Sequence, residues 1–548
     1  MEKIERTARD RWLVVPTSEP DPQVVHRCTE AVVAAALAEV SDASVVSVAI
    51  NRTGQLNVPA SAIGMPAFIE QDLPGYCEVV VHQQDPGGHT VEIRVWVPLT
   101  WNGRFLGTAG GGNRTTAGLM SGDEFRGATL ANAVRNGFAA ASTDSGVGRD
   151  PRISDWQLDE STGELDDNLI ENWVHRSTHD MTVIGKAVTT AIHGATPRFS
   201  YFQGTSGGGR QAIAQARLHP ADYDGVWSSD PAMNWTRLIP AELWPALVMK
   251  ELDNALAPEK FEAFRQAVVD DFALRTGSPE SFTTSDEPPA FDPYRLVGQA
   301  TTAGPIVEAD AQVMKMIWDG PRTATGEQLW FGLRPGAESW GALGPHGLCI
   351  TKEEPDGRRT PDPWAIALSW FATWLQRDPE WDWRTLTFDE YERLFLKGIE
   401  EFAYLSVEDP DLSELRDGGR KLLLTHGTDD QVIFSQGSRH YFDNVIEHMG
   451  GRPATDEFAR FFLCAGDGHS FRIPSGFGID LATGMIALMN WVENGIAPDS
   501  LETLHFADDG ISVAEVRSIA AYGTASVLDQ QVTYRSPRHP SAVVFERK

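Results

Sequence analysis

Arg198-Phe199-Ser200-Tyr201-Phe202-Gln203-Gly204-Thr205-Ser206-Gly207-Gly208 is the stretch whose reading decides the fold. Arg198 to Gln203 is a short apolar and aromatic run that follows Pro197, the pattern of a buried strand. Beyond the glycines, Arg210-Gln211-Ala212-Ile213-Ala214-Gln215-Ala216-Arg217-Leu218 is rich in helix formers and stops near His219-Pro220. Gly204-Thr205-Ser206-Gly207-Gly208 is therefore a G-x-S-x-G placed between a strand and a helix. Small residues there let the backbone turn sharply and lift Ser206 Oγ above the sheet, at the amide end of the helix. An ordinary glycine turn is the plainer reading, and the flanking strand and helix weigh against it.

A serine hydroxyl needs a base to take its proton and an acid to orient that base. In α/β-hydrolases the partners follow in the order serine, acid, histidine. Lys421-Leu422-Leu423-Leu424-Thr425-His426-Gly427 reads as a strand, and Thr428-Asp429-Asp430 follows it. Phe461-Phe462-Leu463-Cys464 reads as another, ending in Ala465-Gly466-Asp467-Gly468-His469-Ser470. Both candidates lie past the carboxyl end of an apolar strand, where open α/β sheets carry their chemistry. Asp430 is the expected acid, with Asp429 a turn residue capping its own backbone; His469 is the expected base. Upstream, Trp101-Asn102-Gly103-Arg104-Phe105-Leu106 leads into Gly107-Thr108-Ala109-Gly110-Gly111-Gly112-Asn113. The amides of Gly111 and Gly112 would form an oxyanion hole with that of Gly207. A phosphate loop is the competing reading, but neither Lys-Ser nor Lys-Thr follows the glycines.

These blocks together resemble the tannase and feruloyl esterase family of serine hydrolases, which includes mono(hydroxyethyl) terephthalate hydrolase. The similarity also takes in Ala141-Ser142-Thr143-Asp144-Ser145-Gly146, Ile317-Trp318-Asp319-Gly320-Pro321-Arg322-Thr323 and Asp378-Pro379-Glu380-Trp381-Asp382-Trp383-Arg384. The resemblance implies Ser206 as nucleophile, Asp430 as acid and His469 as base. It also exposes departures. The family has a cysteine before the serine and another after the histidine, joined as a disulfide; here Thr205 and Ser470 stand there. The acidic calcium loop of many relatives has no counterpart between Phe264 and Leu296, where only Asp270-Asp271 occurs. Val147 stands where the family usually has a histidine. Cys28 and Cys77 fall where secreted relatives carry an N-terminal disulfide, whereas Cys349 and Cys464 are isolated.

The chain has 548 residues, a net charge of −31 and 41% hydrophobic residues. That charge excludes nucleic acid and an anionic membrane as expected partners, since both need basic patches. No run is apolar enough to span a membrane. The charged start, Met1-Glu2-Lys3-Ile4-Glu5-Arg6, lacks the apolar core of a signal peptide, so a cytoplasmic location is expected. Four cysteines in so long a chain make no disulfide framework.

Strand-helix alternation runs through His89–Pro98, whose Val91, Ile93, Val95 and Val97 share a face, and through Phe138–Ser142. Helices are expected over Val32–Val40 and Ser177–Ala191, the latter capped at Ser177 or Thr178. Alternation fails from about Thr236 to Arg416, a stretch carrying Trp318, Trp330, Trp340, Trp364, Trp370, Trp374, Trp381 and Trp383. Most of these are assigned to a local core, a few to the substrate pocket. An edge strand is expected at Val532–Pro537.

The expected architecture is an α/β-hydrolase of residues 1–235 and 417–548, with residues 236–416 inserted as a lid. The expected activity is hydrolysis of esters of aromatic acids or alcohols through an acyl-enzyme, without cofactor or metal. Its expected partner is a small aromatic ester; oligomeric state and pocket residues are not readable. Hydrolysis of another acyl bond by the same triad is the alternative, and a catalytically silent binding protein a further one.

Overall fold

The computed structural model describes residues 13, 19–40, 42–58, 67–112, 128–147, 155–159, 161–276, 289–341, 347–469, 477–506 and 513–524. Among the described residues, nine strands form the central sheet. They are β1 (Ala43–Asn51), β2 (Tyr76–Gln84), β3 (Thr90–Pro98), β4 (Arg104–Thr108), β5 (Ala139–Thr143), β6 (Phe199–Thr205), β7 (Gly225–Ser229), β8 (Lys421–Gly427) and β9 (Ala459–Cys464). Their order across the sheet is β1-β2-β3-β5-β4-β6-β7-β8-β9. Pairing is antiparallel from β1 to β5 and parallel from β5 to β9. The edge element expected at Val532–Pro537 lies outside the described residues.

Both faces of the sheet are covered, so consecutive residues of one strand enter different cores. Phe105, Phe202, Val226, Leu424 and Phe461 point to one side. Leu106, Tyr201, Trp227, Leu423 and Phe462 point to the other. The first side is closed by α1 (Glu30–Ala36), α3 (Ser177–His193), α4 (Gly207–Leu218) and α9 (Ser435–His448). The second is closed by α2 (Leu130–Arg135) and α10 (Leu481–Asn494). Each large apolar side chain so buried is worth about 1.5–3 kcal/mol relative to exposure.

Two helix boundaries differ from the sequence expectation. Helix α1, expected over Val32–Val40, starts at Glu30, where Thr29 accepts the Val32 amide at 3.4 Å, and stops at Ala36. No cap stands at Ser177 or Thr178. The helix instead continues back through a wide turn, Asn172–Arg176, into Asp167–Glu171, whose cap is Asp166. Ser177 donates its hydroxyl to Asn172 O at 2.8 Å, within the helix rather than at its end.

Between β7 and β8 the chain leaves the sheet. It forms α5 (Trp235–Glu251), α6 (Pro258–Thr276), α7 (Glu308–Asp319) and α8 (Phe388–Glu401). Trp330, Trp370, Trp374 and Trp383 are buried in its core, and Trp318, Trp340, Trp364 and Trp381 pack against it. That core is not closed at the segment's ends: it takes in Val147 and Trp173 on one side and Val432, Ile433 and Phe434 on the other. Asp271 on α6 is spanned by Arg275 at 2.8 Å and Arg295 at 2.6 Å.

Candidate active site

Ser206 sits between β6 and α4 with φ 63° and ψ −125°, a left-handed conformation that costs a residue with a Cβ about 1–3 kcal/mol. Its amide donates to Ser229 O at 3.0 Å, and its carbonyl accepts from Arg210 N at 3.0 Å and Ala232 N at 3.1 Å. The glycines around it are there because nothing larger fits. A Cβ on Gly204 would stand 2.2 Å from Gly208 O, and one on Gly208 2.4 Å from Gly110 O. One on Gly207 would stand 2.4 Å from Gly112 O. The loop carrying Gly111 and Gly112 is thus pressed main chain to main chain against the elbow, and Gly112 itself has φ 64°.

Arg210, one turn into α4, is fully buried with its guanidinium 3.6 Å above the Trp173 ring. It donates to Trp173 O at 2.7 Å and Val174 O at 3.3 Å, carbonyls in the wide helical turn. Burial without a carboxylate partner pushes its pKa down to about 9.

The sequence-predicted triad is assembled. His469 Nε2 lies 2.9 Å from Ser206 Oγ, and its Nδ1 lies 2.7 Å from Asp430 Oδ2. Asp430 Oδ1 accepts the amides of Val432 at 2.9 Å and Ile433 at 2.7 Å. Burial alone would raise the Asp430 pKa. The charge of His469 and hydrogen bonds from His426 and His469 outweigh it and hold the carboxylate at about 2.

His426 was not singled out in the sequence, yet it is the second imidazole on this carboxylate. Its Nε2 faces Asp430 Oδ2 at 3.1 Å and Ile433 O at 3.2 Å, and its Nδ1 meets Ser438 Oγ at 2.8 Å. A carbonyl only accepts, so Nε2 carries the proton and Nδ1 accepts from Ser438. The His-Gly step before the acid turn was the only available signal.

Asp429 does not cap its own backbone. Its carboxylate is ion-paired with Arg334, a buried residue of the 236–416 segment, and accepts Thr428 Oγ1 at 3.0 Å. Nothing in the local sequence connects residues 95 positions apart.

The disulfide positions of the family resolve differently. Thr205 Oγ1 accepts from Gln203 Nε2 at 3.3 Å, and Ser470 lies outside the described residues. The base loop is held to the acid turn instead. Gln431 accepts the His469 amide at 3.0 Å, Thr428 Oγ1 accepts the Gly466 amide at 2.9 Å, and Asp467 O accepts the Asp429 amide at 2.9 Å. Val147 is buried in apolar surroundings. Cys28 and Cys77 face one another as buried thiols with no disulfide between them, and Cys349 and Cys464 are likewise buried and in no disulfide.

Near the acid, α5 presents Glu242, which is 4% exposed with Oε2 unpartnered. Burial, and then the charge of Asp430, raise its pKa well above the usual carboxylate range. Among the described residues, Asp230, His426 and Asp430 could also converge on a cation. Each already has a partner, Asp230 accepting the Gly427 amide at 2.9 Å.

A doubly covered sheet with a serine elbow, an acid turn and a base loop at the carboxyl ends of its strands defines an α/β-hydrolase. The chain matches the family model described as tannase and feruloyl esterase over residues 77–536. It is 34% identical over 444 residues to a probable feruloyl esterase of Arthroderma benhamiae, covering 79% of each chain. It is 27% identical over 482 residues to feruloyl esterase B of Aspergillus niger, covering 84% of this chain and 85% of that one. Among solved structures, the tannin acyl hydrolase from Aspergillus niger superposes with a TM-score of 0.75 at 20% identity, over 98% and 97% of the two chains. Feruloyl esterase B from Aspergillus oryzae gives 0.72 at 22%, over 92% and 100%. The protein belongs to the tannase and feruloyl esterase family, whose members are carboxylic ester hydrolases.

Proposed function

We propose that this protein is a serine esterase cleaving esters of phenolic or hydroxycinnamic acids. The observation that carries the reading is the unbroken contact chain Ser206 Oγ to His469 to Asp430, at 2.9 and 2.7 Å. His469 Nε2 takes the Ser206 proton as Oγ attacks the ester carbonyl, then returns it to the departing alcohol. Asp430 keeps the imidazole in the required tautomer and stabilises its cation, with His426 and two amides holding the carboxylate in place. The amides of Gly207 and of the loop at Gly111 and Gly112 receive the oxyanion, each worth about 3–4 kcal/mol in the transition state. Water then releases the acid by the same route.

The aromatic preference is supported by relatives named feruloyl esterase and by the tryptophan-rich segment over the acid turn. In this reading residues 236–416 are the lid and supply the acyl pocket. The test is a hydrolysis panel of methyl ferulate, methyl gallate, a terephthalate monoester and p-nitrophenyl butyrate, run beside Ser206→Ala. Preference for the first two, abolished in the variant, is expected. Equal or better turnover of the aliphatic ester would remove the aromatic assignment and leave the esterase.

A further inference from the structure

We propose a binding site for a divalent metal of the zinc class, formed by His179, His219 and Asp222 with His175 beside them. It is distinct from the triad. His219 follows the last residue of α4, whose first residue follows Ser206, so the two sites lie about 18 Å apart along that helix. The reaction described above uses none of these groups.

The donors are those zinc selects, neutral imidazole and carboxylate. One ligand atom from each of His179, His219 and Asp222 lies within 4.8 Å of the others. Ligand atoms around a tetrahedral zinc stand about 3.3 Å apart, given bonds of about 2.0–2.1 Å. Side-chain adjustments of about 1–1.5 Å therefore close the site without moving a helix. His179 Nδ1 is 2.7 Å from Asp222 Oδ2. His175 Nδ1 is 3.0 Å from His219 Nε2. Two ring nitrogens at that distance share one proton, so the contact ties the tautomer of His219 to that of His175, as partners of metal-bound imidazoles do.

The site is reachable, because the His179 side chain is 35% exposed while Asp222 is 13% exposed. One feature must change on binding. The rings of His179 and His219 are stacked at 4.2 Å with an angle of 14°, so their lone pairs run parallel and one ring must turn to share an ion. Lys186 donates to the backbone carbonyl of Asp222, not to its carboxylate. The sequence expectation of no metal rested on the missing acidic loop. His179 lies on α3, His219 just past α4 and Asp222 in the turn Pro220–Asp222, so no single segment of sequence supplies the set.

The experiment is calorimetric titration of the tag-free, EDTA-treated full chain with zinc chloride, with cobalt chloride as a spectroscopic probe. One saturable equivalent, a tetrahedral cobalt spectrum and a rise in melting temperature with zinc are expected. His219→Phe, which preserves stacking, and Asp222→Asn should each weaken binding by about tenfold or more, while p-nitrophenyl butyrate turnover stays at the wild-type rate. Absence of saturable zinc binding to the wild type, or undiminished binding in both variants, overturns the proposal. If either variant fails to fold, the cobalt spectrum of the wild type decides: a purely octahedral aquo-like spectrum overturns the site.

Discussion

Around Ser206 the contacts that fix geometry are between main chains: Gly204 with Gly208, Gly208 with Gly110, Gly207 with Gly112. Around Asp430 and His469 most of them involve a side chain: His426, Ser438, Gln431, Thr428 and, through Asp429, Arg334 of the inserted segment. The first arrangement is rigid because close-packed backbone has nowhere to go. The second is a network whose members can be exchanged one at a time, at a cost set by what each leaves unpaired. Within one active site, then, the nucleophile is placed by what is absent from the sequence and the base by what is present.

The largest effects should come from the groups on which both sides converge. Ser206→Ala and His469→Ala should each lower kcat on p-nitrophenyl butyrate on the order of 10⁴-fold or more, with KM little changed. Asp430→Asn should fall in the same range, because the amide would offer His469 the wrong partner. A kcat within tenfold of wild type for Asp430→Asn would move the acid role elsewhere.

On the backbone side, Gly207→Ala forces a Cβ against Gly112 O. It should cost about 10²–10³-fold in kcat, the scale of one lost oxyanion donor. Full activity in that variant would mean that the glycine loop does not serve the reaction. On the side-chain side, Asp429→Asn and Arg334→Met should each destabilise the fold by about 3–5 kcal/mol in urea unfolding, the usual cost of removing one member of a buried ion pair. The double variant should recover much of that loss. Strict additivity would show that the pair is not coupled.

Smaller still is a pH effect at Glu242. Its folded pKa is raised, so the folded state holds a proton that the unfolded chain has released, and stability declines as pH rises above the ordinary glutamate range. Glu242→Gln should therefore raise the melting temperature at pH 8 while changing it little at pH 4.5. A larger gain at the acidic end would contradict the raised pKa. The smallest effect expected is on the family's missing tether: Thr205→Ala loses one hydrogen bond to Gln203, worth about 1 kcal/mol, and dithiothreitol should leave the initial rate unchanged.

The same contrast explains what the sequence made legible. Strands alternating by two and a serine between glycines are local patterns, and they located β3, β6, the elbow and the glycine loop. Asp430 and His469 were found because each follows a strand end in the order the fold requires. Arg334 was not, because an ion pair spanning the inserted segment leaves no periodic trace. His426 sat inside a strand pattern, where a buried polar residue reads as an interruption. The start of α3 leaves no local signal, because a wide turn keeps a helix going without a cap.

The core that runs from Trp173 through the tryptophans of residues 236–416 to Ile433 and Phe434 has a mechanical corollary. A cover hinged over an active site needs a seam along which it parts at low cost, and here that seam would cut through close-packed indoles and the turn that carries the catalytic acid. Swinging the segment away from Ser206 as one piece would therefore mean breaking that shared core. Heating should accordingly melt body and insert together, in one calorimetric transition rather than two.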